Sequence, residues 1–474
     1  MVVGDISTAT DVLVVGAGPG GYVAAIRAAQ HDMDVTLVER DAYGGTCLNH
    51  GCIPSKALIT GAEIADRPRR AGEMGISADV DVDFGQMIDW KDGVVRQLTG
   101  GVKTLCEEHG VSLVEGTAVF DDATSARVVH EGEGEGSESV DFEHAIVATG
   151  SRPVSIPGFP FDDPGVLDSK AALALDTVPD RLVVVGAGYI GMELSTAFAK
   201  LGADVTVLEA LETALPAYED DVARVVRERA EGLGVDFRFG HAAAGYETAD
   251  DGSGGIVVRA DADDGTATVP ADEVLVAVGR EPVTDTVDPE AAGLDPDEDG
   301  TIRTDDQCRT GVDGIYAVGD VTGEPMLAHR AMYDGRVAAG AIAGEPVGQD
   351  ARAVPAVVFT DPEIATVGMT ADEAAAAGFD PAVGRMPLRA NGRALTLDDA
   401  DGFVRIVADA DREHVLGAQL VGPEASELVA ELALAIELGA TLTDLAGTIH
   451  THPTVSEAVV DAAESIHGRA IHTR

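Results

Sequence analysis

The chain of 474 residues carries 83 acidic and only 32 basic side chains, a net charge of −51, although 45% of its residues are hydrophobic. This composition excludes nucleic acids and anionic membrane surfaces as partners, because both are bound by a basic face, and it is too apolar for a disordered chain. The length predicts about three domains. The acidity runs through all segments and the chain has only five lysines, which indicates adaptation to a cytoplasm near salt saturation, where charge repulsion is strongly screened.

The chain shows no signal for export or membrane insertion. No apolar run approaches the roughly 20 residues that a membrane-spanning helix needs, and residues 1–11 lack the basic region of a signal peptide. Four cysteines in so long a chain argue against the disulfide framework of a secreted protein. We therefore expect a cytoplasmic protein with no membrane partner.

The first recognisable unit is a strand, a helix and a second strand within residues 11–39. A Gly-rich turn follows the first strand, and Glu39 ends the second strand. In such a unit the first glycine allows a tight turn, the second lets a pyrophosphate approach the backbone, and the third lets the helix pack on the strand. The glycines at G-x-G-x-x-G spacing are Gly16, Gly18 and Gly21. The pattern predicts a dinucleotide site, with Glu39 accepting a ribose hydroxyl.

A pair of cysteines follows this unit directly, in the segment GGTCLNHGCIPSK of residues 44–56. Cys47 and Cys52 precede a predicted helix, whose positive N-terminal end favours the thiolate, the form that exchanges disulfides. Taken alone, the pair could also be a structural disulfide or two buried thiols. Zinc fits poorly, because no second Cys/His pair stands at ligand spacing. The nucleotide motifs on either side favour a redox role.

The nucleotide unit occurs a second time. Residues 181–209 align with residues 11–39 without a gap. The corresponding positions are Gly186, Gly188, Gly191 and Glu209. Two such sites could hold two copies of one cofactor, but the thiol pair follows the first unit only. We therefore expect FAD, tightly and non-covalently bound, on the first unit and a nicotinamide dinucleotide on the second, forming an electron path to the disulfide.

Further strands are predicted around these units. Residues 111–120 are expected to form a strand and residues 131–138 a solvated hairpin tip. Two strands return to the nucleotide sites at residues 144–150 and 273–280, ending near Gly150 and Gly279. A strand over 314–320 ends in Asp320, which could meet the flavin or be a simple turn residue, and a helix is expected over 327–343.

The C-terminal segment differs in character and carries no nucleotide motif. We expect antiparallel strands with a turn at 409–413, a helix over 424–438 and a last helix after Ser456, an arrangement typical of an oligomerisation module. In HTHPTVSE, His452 is predicted to be a general base held by Glu457; for an isolated histidine, helix capping would be the default. His450 and His452 cannot share a helix face, and no metal site is predicted.

Together the patterns predict an α/β protein with two Rossmann-type dinucleotide-binding domains and an α+β C-terminal dimerisation domain. The expected divisions are residues 1–150 for FAD, 151–280 for NAD, 281–350 for a central domain that completes the FAD site, and 351–474 for the interface. Cys106 and Cys308 lie in no motif and are expected to be buried thiols, and His50 is expected to be a loop residue.

In the order of its motifs, essentially the whole chain resembles the disulfide reductase branch of the flavoprotein pyridine-nucleotide oxidoreductases, and within it the dihydrolipoamide dehydrogenases. The resemblance implies that Cys47 is the interchange thiol, Cys52 the charge-transfer thiol facing the flavin, and that the His452–Glu457 pair serves the other subunit of a homodimer. It also implies a Lys56–Glu193 pair near the flavin and a Tyr189 ring that covers the nicotinamide. It also implies FAD contacts at Ala118, Asp320 and Ala328. Gly150, Ile190 and Gly279 are further expected cofactor-binding residues.

Other members of the branch fit less well. Mercuric reductases carry a C-terminal cysteine pair, whereas no cysteine follows Cys308 here, and soluble transhydrogenases lack the active disulfide. Glutathione reductases hold the NADPH phosphate with arginines, where this chain has Glu209 and Glu212. The resemblance thus implies NAD-dependent oxidation of dihydrolipoamide on a lipoyl-bearing protein of a 2-oxoacid dehydrogenase or glycine cleavage type complex. A reductase for another small disulfide and a flavin-binding scaffold subunit remain alternatives.

Overall fold

The computed structural model describes residues 6–130, 136–249, 255–262 and 265–473. Its first sheet has the strand order β3-β2-β1-β6-β5-β4, in which β1, β2, β3 and β6 are parallel and β4 and β5 form an antiparallel edge. The strands are β1 (Ile6–Val15), β2 (Val35–Glu39), β3 (Ser112–Glu115), β4 (Thr117–Asp122), β5 (Ser125–Val129) and β6 (Ser137–Val147). The helices are α1 (Pro19–Ala29), α2 (Gly45–Asn49), α3 (Cys52–Arg70) and α4 (Phe84–Glu108).

The prediction of a single strand over 111–120 was wrong, because the chain changes its strand-pairing partner at Gly116. Strand β3 pairs with β2, whereas β4 pairs with β5. A Cβ atom on Gly116 would lie 2.7 Å from the carbonyl oxygen of Val129, so the switch point has no room for a side chain. Of the predicted tip at 131–138, residues 131–135 lie outside the described residues, and β6 already begins at Ser137.

The second unit repeats the parallel arrangement in a sheet of order β11-β10-β9-β15-β8. An antiparallel sheet, β12-β13-β14, packs on it through apolar side chains such as Val183 and Val258. The elements are β7 (Ser151–Pro153), β8 (Val166–Leu167), α5 (Ser169–Ala172), β9 (Arg181–Val185), α6 (Tyr189–Leu201), β10 (Asp204–Glu209), α7 (Asp220–Gly232), β11 (Asp236–Phe239), β12 (Ala242–Thr248), β13 (Ile256–Ala262), β14 (Gly265–Ala271), β15 (Glu273–Val276) and β16 (Arg280–Pro282).

After the second unit the chain returns to the first. Strand β17 (Ile315–Ala317) pairs in parallel with the last residues of β6, and helix α8 (Ala328–Ile342) packs on α1. The two helices touch at glycines, since a Cβ atom on Gly335 would lie 2.4 Å from the carbonyl oxygen of Gly20. The strand and helix predicted at 314–320 and 327–343 are therefore confirmed, and they complete the first unit.

The C-terminal segment forms an antiparallel sheet of order β18-β19-β22-β21-β20, packed by helices. The turn at 409–413 and the two helices predicted there are confirmed. The elements are β18 (Ala356–Val358), β19 (Ile364–Gly368), α9 (Ala371–Ala376), β20 (Pro381–Pro387), α10 (Gly392–Leu397), β21 (Phe403–Asp409), β22 (Val415–Val421), α11 (Ala425–Leu438), α12 (Leu442–Gly447) and α13 (Glu457–Ser465). In the described part of the chain, no helix is both long and apolar enough to cross a membrane.

The scarce lysines lie mainly where these units meet. Lys91 on α4 donates a hydrogen bond of 2.6 Å to the carbonyl oxygen of Leu173 in the second unit. Lys200 on α6 is only 5% exposed and lies 2.8 Å from Asp361 of the C-terminal segment, and it also pairs with Glu63 on α3. Buried contacts of this kind hold the units in one arrangement, which sets the shape of the cavity between them.

Candidate active site

Both glycine turns have the same tight geometry. Gly16 and Gly186 have φ of 99° and 101°, a region in which a side chain would be strained. A Cβ atom on Gly21 would lie 1.8 Å from the carbonyl oxygen of Gly16, and one on Gly191 would lie 2.1 Å from that of Gly186. The helices α1 and α6 can therefore approach their strands only because the third glycine of each motif has no side chain.

The middle glycine of each motif faces open space. A Cβ atom on Gly18 or Gly188 would meet no atom within 4 Å, and each residue is the N-cap of its helix. The free backbone N–H groups and the positive end of the helix dipole at such a position bind anions. The residues therefore fit the pyrophosphate of a dinucleotide at both turns.

Glu39 and Glu209, which end the second strand of the two nucleotide units, make the same hydrogen bond to the neighbouring glycine turn. Glu39 Oε2 accepts a hydrogen bond of 2.7 Å from the Ala17 N–H, and Glu209 Oε2 accepts one of 2.8 Å from the Ala187 N–H. Each carboxylate is thereby fixed at the edge of its glycine turn. Since a carboxylate oxygen has more than one lone pair, both glutamates can still accept the ribose hydroxyls predicted for them.

A single cavity connects the first glycine turn with the cysteines and with the start of α6. Of the residues predicted for the site, those that line it are Gly16, Gly18, Glu39, Cys47, Cys52, Lys56, Ala118, Gly150, Tyr189, Ile190, Glu193, Asp320 and Ala328. Gly21 lies beneath the first turn, whereas Gly186, Gly188, Gly191 and Glu209 form the second turn, and Gly279 precedes β16. The cavity thus extends from the first nucleotide turn past the thiols to the start of α6, whereas the residues of the second turn do not line it.

The cysteine segment packs directly on the first glycine turn. Helix α2 begins at Gly45, where a Cβ atom would lie 2.5 Å from the Cα of Gly18. Cys47 lies on α2 and Cys52 begins α3, so both thiols stand next to the nucleotide turn and line the cavity. Both are in the free thiol form.

The two thiols are chemically unequal. A hydrogen bond from Cys47 lowers the pKa of Cys52 to about 7, and the ammonium of Lys56 acts in the same direction. The same hydrogen bond, together with burial, raises the pKa of Cys47. Cys52 is therefore the thiol that ionises first in the reduced pair, and Cys47 stabilises its thiolate.

An ion pair lies at the boundary between the two nucleotide units. Lys56 Nζ on α3 is 2.8 Å from Glu193 Oε2 on α6, so the predicted pairing is present. The lysine also lies 4.6 Å from the ring centroid of Phe359, whose N–H donates a hydrogen bond of 2.8 Å to Glu193 Oε1. Sequence reasoning missed Phe359, because nothing in its own segment marks it as part of a nucleotide site.

A second polar chain at the cavity was also missed. The Ser151 hydroxyl donates a hydrogen bond of 2.5 Å to Asp320 Oδ2, and Arg280 Nε donates one of 2.8 Å to Ser151 Oγ. Arg280 and Asp320 both line the cavity. The only signal in the sequence is position: Ser151 and Arg280 directly follow the predicted turn glycines Gly150 and Gly279.

The predicted histidine–glutamate pair is formed, but not at the thiols of the same chain. His452 Nδ1 lies 2.8 Å from Glu457 Oε1, and Oε2 accepts a hydrogen bond of 2.9 Å from the Thr454 N–H. Partial burial opposes ionisation, but these two hydrogen bonds lower the pKa of Glu457. The side chain of His452 is 81% exposed, and among the described residues none from 351–474 lines the cavity.

The other candidate groups have ordinary environments. His450 Nε2 lies 2.9 Å from Glu431, so it does not act with His452. Cys106 and Cys308 are fully buried, and burial raises their pKa values to about 11 and about 12. His50 directly follows α2 and lies 3.1 Å from Asp41. These positions agree with the predictions of buried thiols and a loop histidine.

Comparisons with known proteins agree with this architecture. Residues 10–335 match the family model described as pyridine nucleotide-disulphide oxidoreductase, and residues 354–463 match the dimerisation domain of the same family. The chain is 64% identical, over all of both chains, to a protein named dihydrolipoyl dehydrogenase 2 from Haloarcula marismortui. It is also 64% identical, over 100% of this chain and 99% of the relative, to a dihydrolipoyl dehydrogenase from Haloferax volcanii. These relatives come from halophilic archaea.

Solved structures agree with the fold over nearly the whole chain. LpdA from Mycobacterium tuberculosis superposes with a TM-score of 0.89 and 30% identity, over 97% of this chain and 99% of that one. The HOCl-induced flavoprotein disulfide reductase RclA from Escherichia coli, solved as a Cu(II) complex, gives a TM-score of 0.86 and 29% identity, over 97% and 99%. The chain therefore belongs to the pyridine nucleotide-disulphide oxidoreductase family.

Proposed function

We propose that the protein is an NAD-dependent dihydrolipoyl dehydrogenase, which oxidises dihydrolipoamide to lipoamide through a Cys47–Cys52 redox pair. The observation that carries the proposal is the pair of unequal thiols in a cavity that extends from the first dinucleotide turn to the start of α6, the helix that follows the second turn. A scaffold subunit would need neither the thiols nor the assembled His452–Glu457 pair. The full-length identity of 64% to two proteins of that name supports the choice of substrate.

The protein uses FAD and NAD. The first turn, with Gly18 and Glu39, is assigned to FAD because the thiols lie beside it. The second turn, with Gly188 and Glu209, is assigned to NAD. FAD bound at the first turn would supply two-electron transfer between the thiols and NAD+.

The thiols have separate roles in this proposal. A substrate thiolate attacks Cys47 Sγ in the oxidised pair, which forms a mixed disulfide and releases Cys52 as a thiolate. The second substrate thiolate then attacks the substrate sulfur of the mixed disulfide, so that lipoamide leaves and Cys47 is released. The lowered pKa of Cys52 makes it the better leaving group in the first step.

The substrate must lose protons before its sulfurs attack. We assign this task to His452 of the partner subunit, because in its own chain the imidazole stands on the surface, away from the cavity. The hydrogen bond from Nδ1 to Glu457 fixes the tautomer in which Nε2 is free to accept the proton. The dimerisation domain at residues 354–463 supports a homodimer.

The remaining parts of the proposal concern the setting of the enzyme. The partner is a lipoyl-bearing protein of a 2-oxoacid dehydrogenase or glycine cleavage type complex, and the location is the cytoplasm, as the low cysteine content favours. The divisions at residues 150, 280 and 350 also belong to the proposal. A second candidate, a reductase for another disulfide, is favoured by the likeness to RclA.

Steady-state rates distinguish the two candidates. Holoenzyme in molar KCl is given NAD+ with dihydrolipoamide, and NADH with lipoamide or with other low-molecular-weight disulfides. We expect the highest kcat/KM with the lipoyl pair, loss of this activity in Cys47→Ala, and no effect of Cys308→Ala, the matched buried thiol. A higher kcat/KM for another disulfide would overturn the choice of substrate.

A further inference from the structure

We propose that Arg280 is a positioning residue that acts through Ser151 to fix the Asp320 carboxylate for binding FAD. The inference deepens the proposed flavoprotein function and rests on it. It assigns to Arg280 and Ser151 a role in holding the flavin nucleotide, separate from the roles of the thiols and of the glycine turns. Both residues lie on a two-stranded ribbon beside the cavity.

The ribbon consists of β7 and β16, which pair antiparallel with Glu281 opposite Arg152 and Pro282 opposite Ser151. Because side chains alternate across a strand, the two arginines of the ribbon point to opposite faces. Arg152 is exposed and pairs with Glu281 at 2.7 Å and with Asp285 at 2.8 Å. Arg280 is on the other face and lines the cavity. The ribbon thus supplies one arginine to the surface and one to the site.

Among the described residues, the guanidinium of Arg280 forms hydrogen bonds to Ser151 alone. Nε donates a hydrogen bond of 2.8 Å to Ser151 Oγ, and Nη2 donates one of 2.7 Å to the Ser151 carbonyl oxygen. Within the described residues, Arg280 has no carboxylate partner at 4.0 Å or less, although the chain has 83 acidic side chains. In so acidic a chain, the lack of a carboxylate partner indicates that Arg280 positions Ser151 rather than forming a surface ion pair.

The Ser151 hydroxyl accepts one hydrogen bond, from Arg280, and donates another, to Asp320. A hydroxyl has one hydrogen to donate. Since Ser151 Oγ accepts from Arg280, its own hydrogen is directed at Asp320 Oδ2, 2.5 Å away. Among the described residues no hydrogen bond reaches Oδ1 of Asp320, which leaves that oxygen available to a hydroxyl of a bound nucleotide. Arg280, through Ser151, therefore fixes the orientation of the Asp320 carboxylate so that one of its oxygens stays available to the cofactor.

The test compares FAD binding by four single variants and one double variant. Arg280→Lys loses the two-pronged contact, Ser151→Ala loses the hydroxyl, and Ser151→Thr keeps it. Arg152→Lys is the matched control from the same ribbon. FAD affinity is measured by titrating apoprotein in molar KCl and by following release of flavin fluorescence from diluted holoenzyme. We expect Arg280→Lys and Ser151→Ala each to weaken FAD binding about 10-fold, Ser151→Thr to weaken it less than Ser151→Ala because the hydroxyl is kept, and Arg152→Lys to bind as the parent.

The double variant Arg280→Lys/Ser151→Ala tests whether the arginine acts through the serine. If it does, the double variant is no weaker than the weaker single variant, because the contact is already broken. Independent, multiplying effects, or unchanged FAD affinity in Arg280→Lys, would overturn the inference. If Ser151→Ala does not fold, the comparison of Arg280→Lys with Arg152→Lys still decides it. Flavin affinity does not depend on the disulfide substrate, so failure of the lipoamide assay would reject the proposed substrate and leave this result standing.

Discussion

A site shared between two subunits makes a quantitative prediction for mixed dimers. In Cys47→Ala homodimers the attacked sulfur is gone, and we expect no activity. In His452→Gln homodimers the base is gone, and a positioned base contributes about 10² to 10⁴-fold. The heterodimer of the two variants contains one site with an intact Cys47 and an intact His452, and one site with neither.

The arrangement of the proposed site determines how much activity the mixed dimers should recover. No described residue of 351–474 lines the cavity of its own chain, and in the proposed dimer the intact histidine serves the partner's thiols. Heterodimers purified through two different affinity tags should have about half the wild-type kcat, and a randomly reassociated equal mixture about a quarter, because half of its dimers are mixed.

The assay is NADH formation from dihydrolipoamide in molar KCl, with subunit exchange verified by the two tags. Glu457→Gln in place of His452→Gln serves as a further arm, since it removes the charge that orients the imidazole and should complement in the same way. If His452 acted in its own chain, no heterodimer would contain a complete site. Activity of the purified heterodimer no higher than that of His452→Gln homodimers would refute the shared site.

Four further predictions concern the acidity of Cys52, the choice of nicotinamide cofactor, the contacts between units and the net charge. In the reduced enzyme, the rate of Cys52 alkylation by iodoacetamide should increase with pH, with a midpoint near pH 7, because the thiolate is the nucleophile. In Cys47→Ala, which cannot donate the hydrogen bond, the midpoint should move to higher pH. An unmoved midpoint would contradict the role of this hydrogen bond in lowering the pKa of Cys52. The kcat/KM for NAD+ should be much higher than that for NADP+, and their ratio should fall in Glu209→Gln, because the carboxylate repels a 2′-phosphate. Equal kcat/KM values for the two cofactors in the parent enzyme would show that the NAD site is misassigned. Lys200→Met should reduce the free energy of unfolding by about 2 kcal/mol, because the buried Asp361 loses one of its three cationic partners and keeps Arg70 and Arg229. The exposed Lys103→Met should change it by less than about 1 kcal/mol. Equal losses in denaturant unfolding at fixed salt and protein concentration would contradict a role of Lys200 in holding the units together. Activity should persist in molar KCl and decline in dilute buffer, since the Debye length grows from about 3 Å at 1 M to about 10 Å at 0.1 M in a chain of net charge −51; lasting activity in dilute buffer would count against salt adaptation.

Local patterns in the sequence were sufficient to predict the parts of the site that depend on short stretches of chain. The spacing of Gly16 and Gly21 predicts a helix packed on its strand, and the structure leaves no room for a Cβ there. His452 and Glu457 are five residues apart across a helix start, and they form the predicted hydrogen bond. Such features need only a turn or a helix entry, and these are determined by the residues within them.

Contacts between distant segments could not be predicted in the same way. Nothing near residue 359 marks Phe359 as a neighbour of Lys56, because the contact depends on how the C-terminal segment docks against α3 and α6. The break at Gly116 was missed for a related reason: β-forming residues stand on both sides of it, and the division into two strands depends on the pairing of each part with a different neighbour.

The thiol pair shows most clearly what the sequence alone determined and what only the tertiary structure decided. Two cysteines with a nucleotide motif on either side were enough to favour redox chemistry over a structural disulfide or two buried thiols. Which thiol ionises first depends on the direction of a hydrogen bond between Cys47 and Cys52 and on the position of Lys56. These are through-space interactions among side chains whose positions are set by packing between units, so the acidity of a thiol is a property of the folded chain and not of its sequence neighbours.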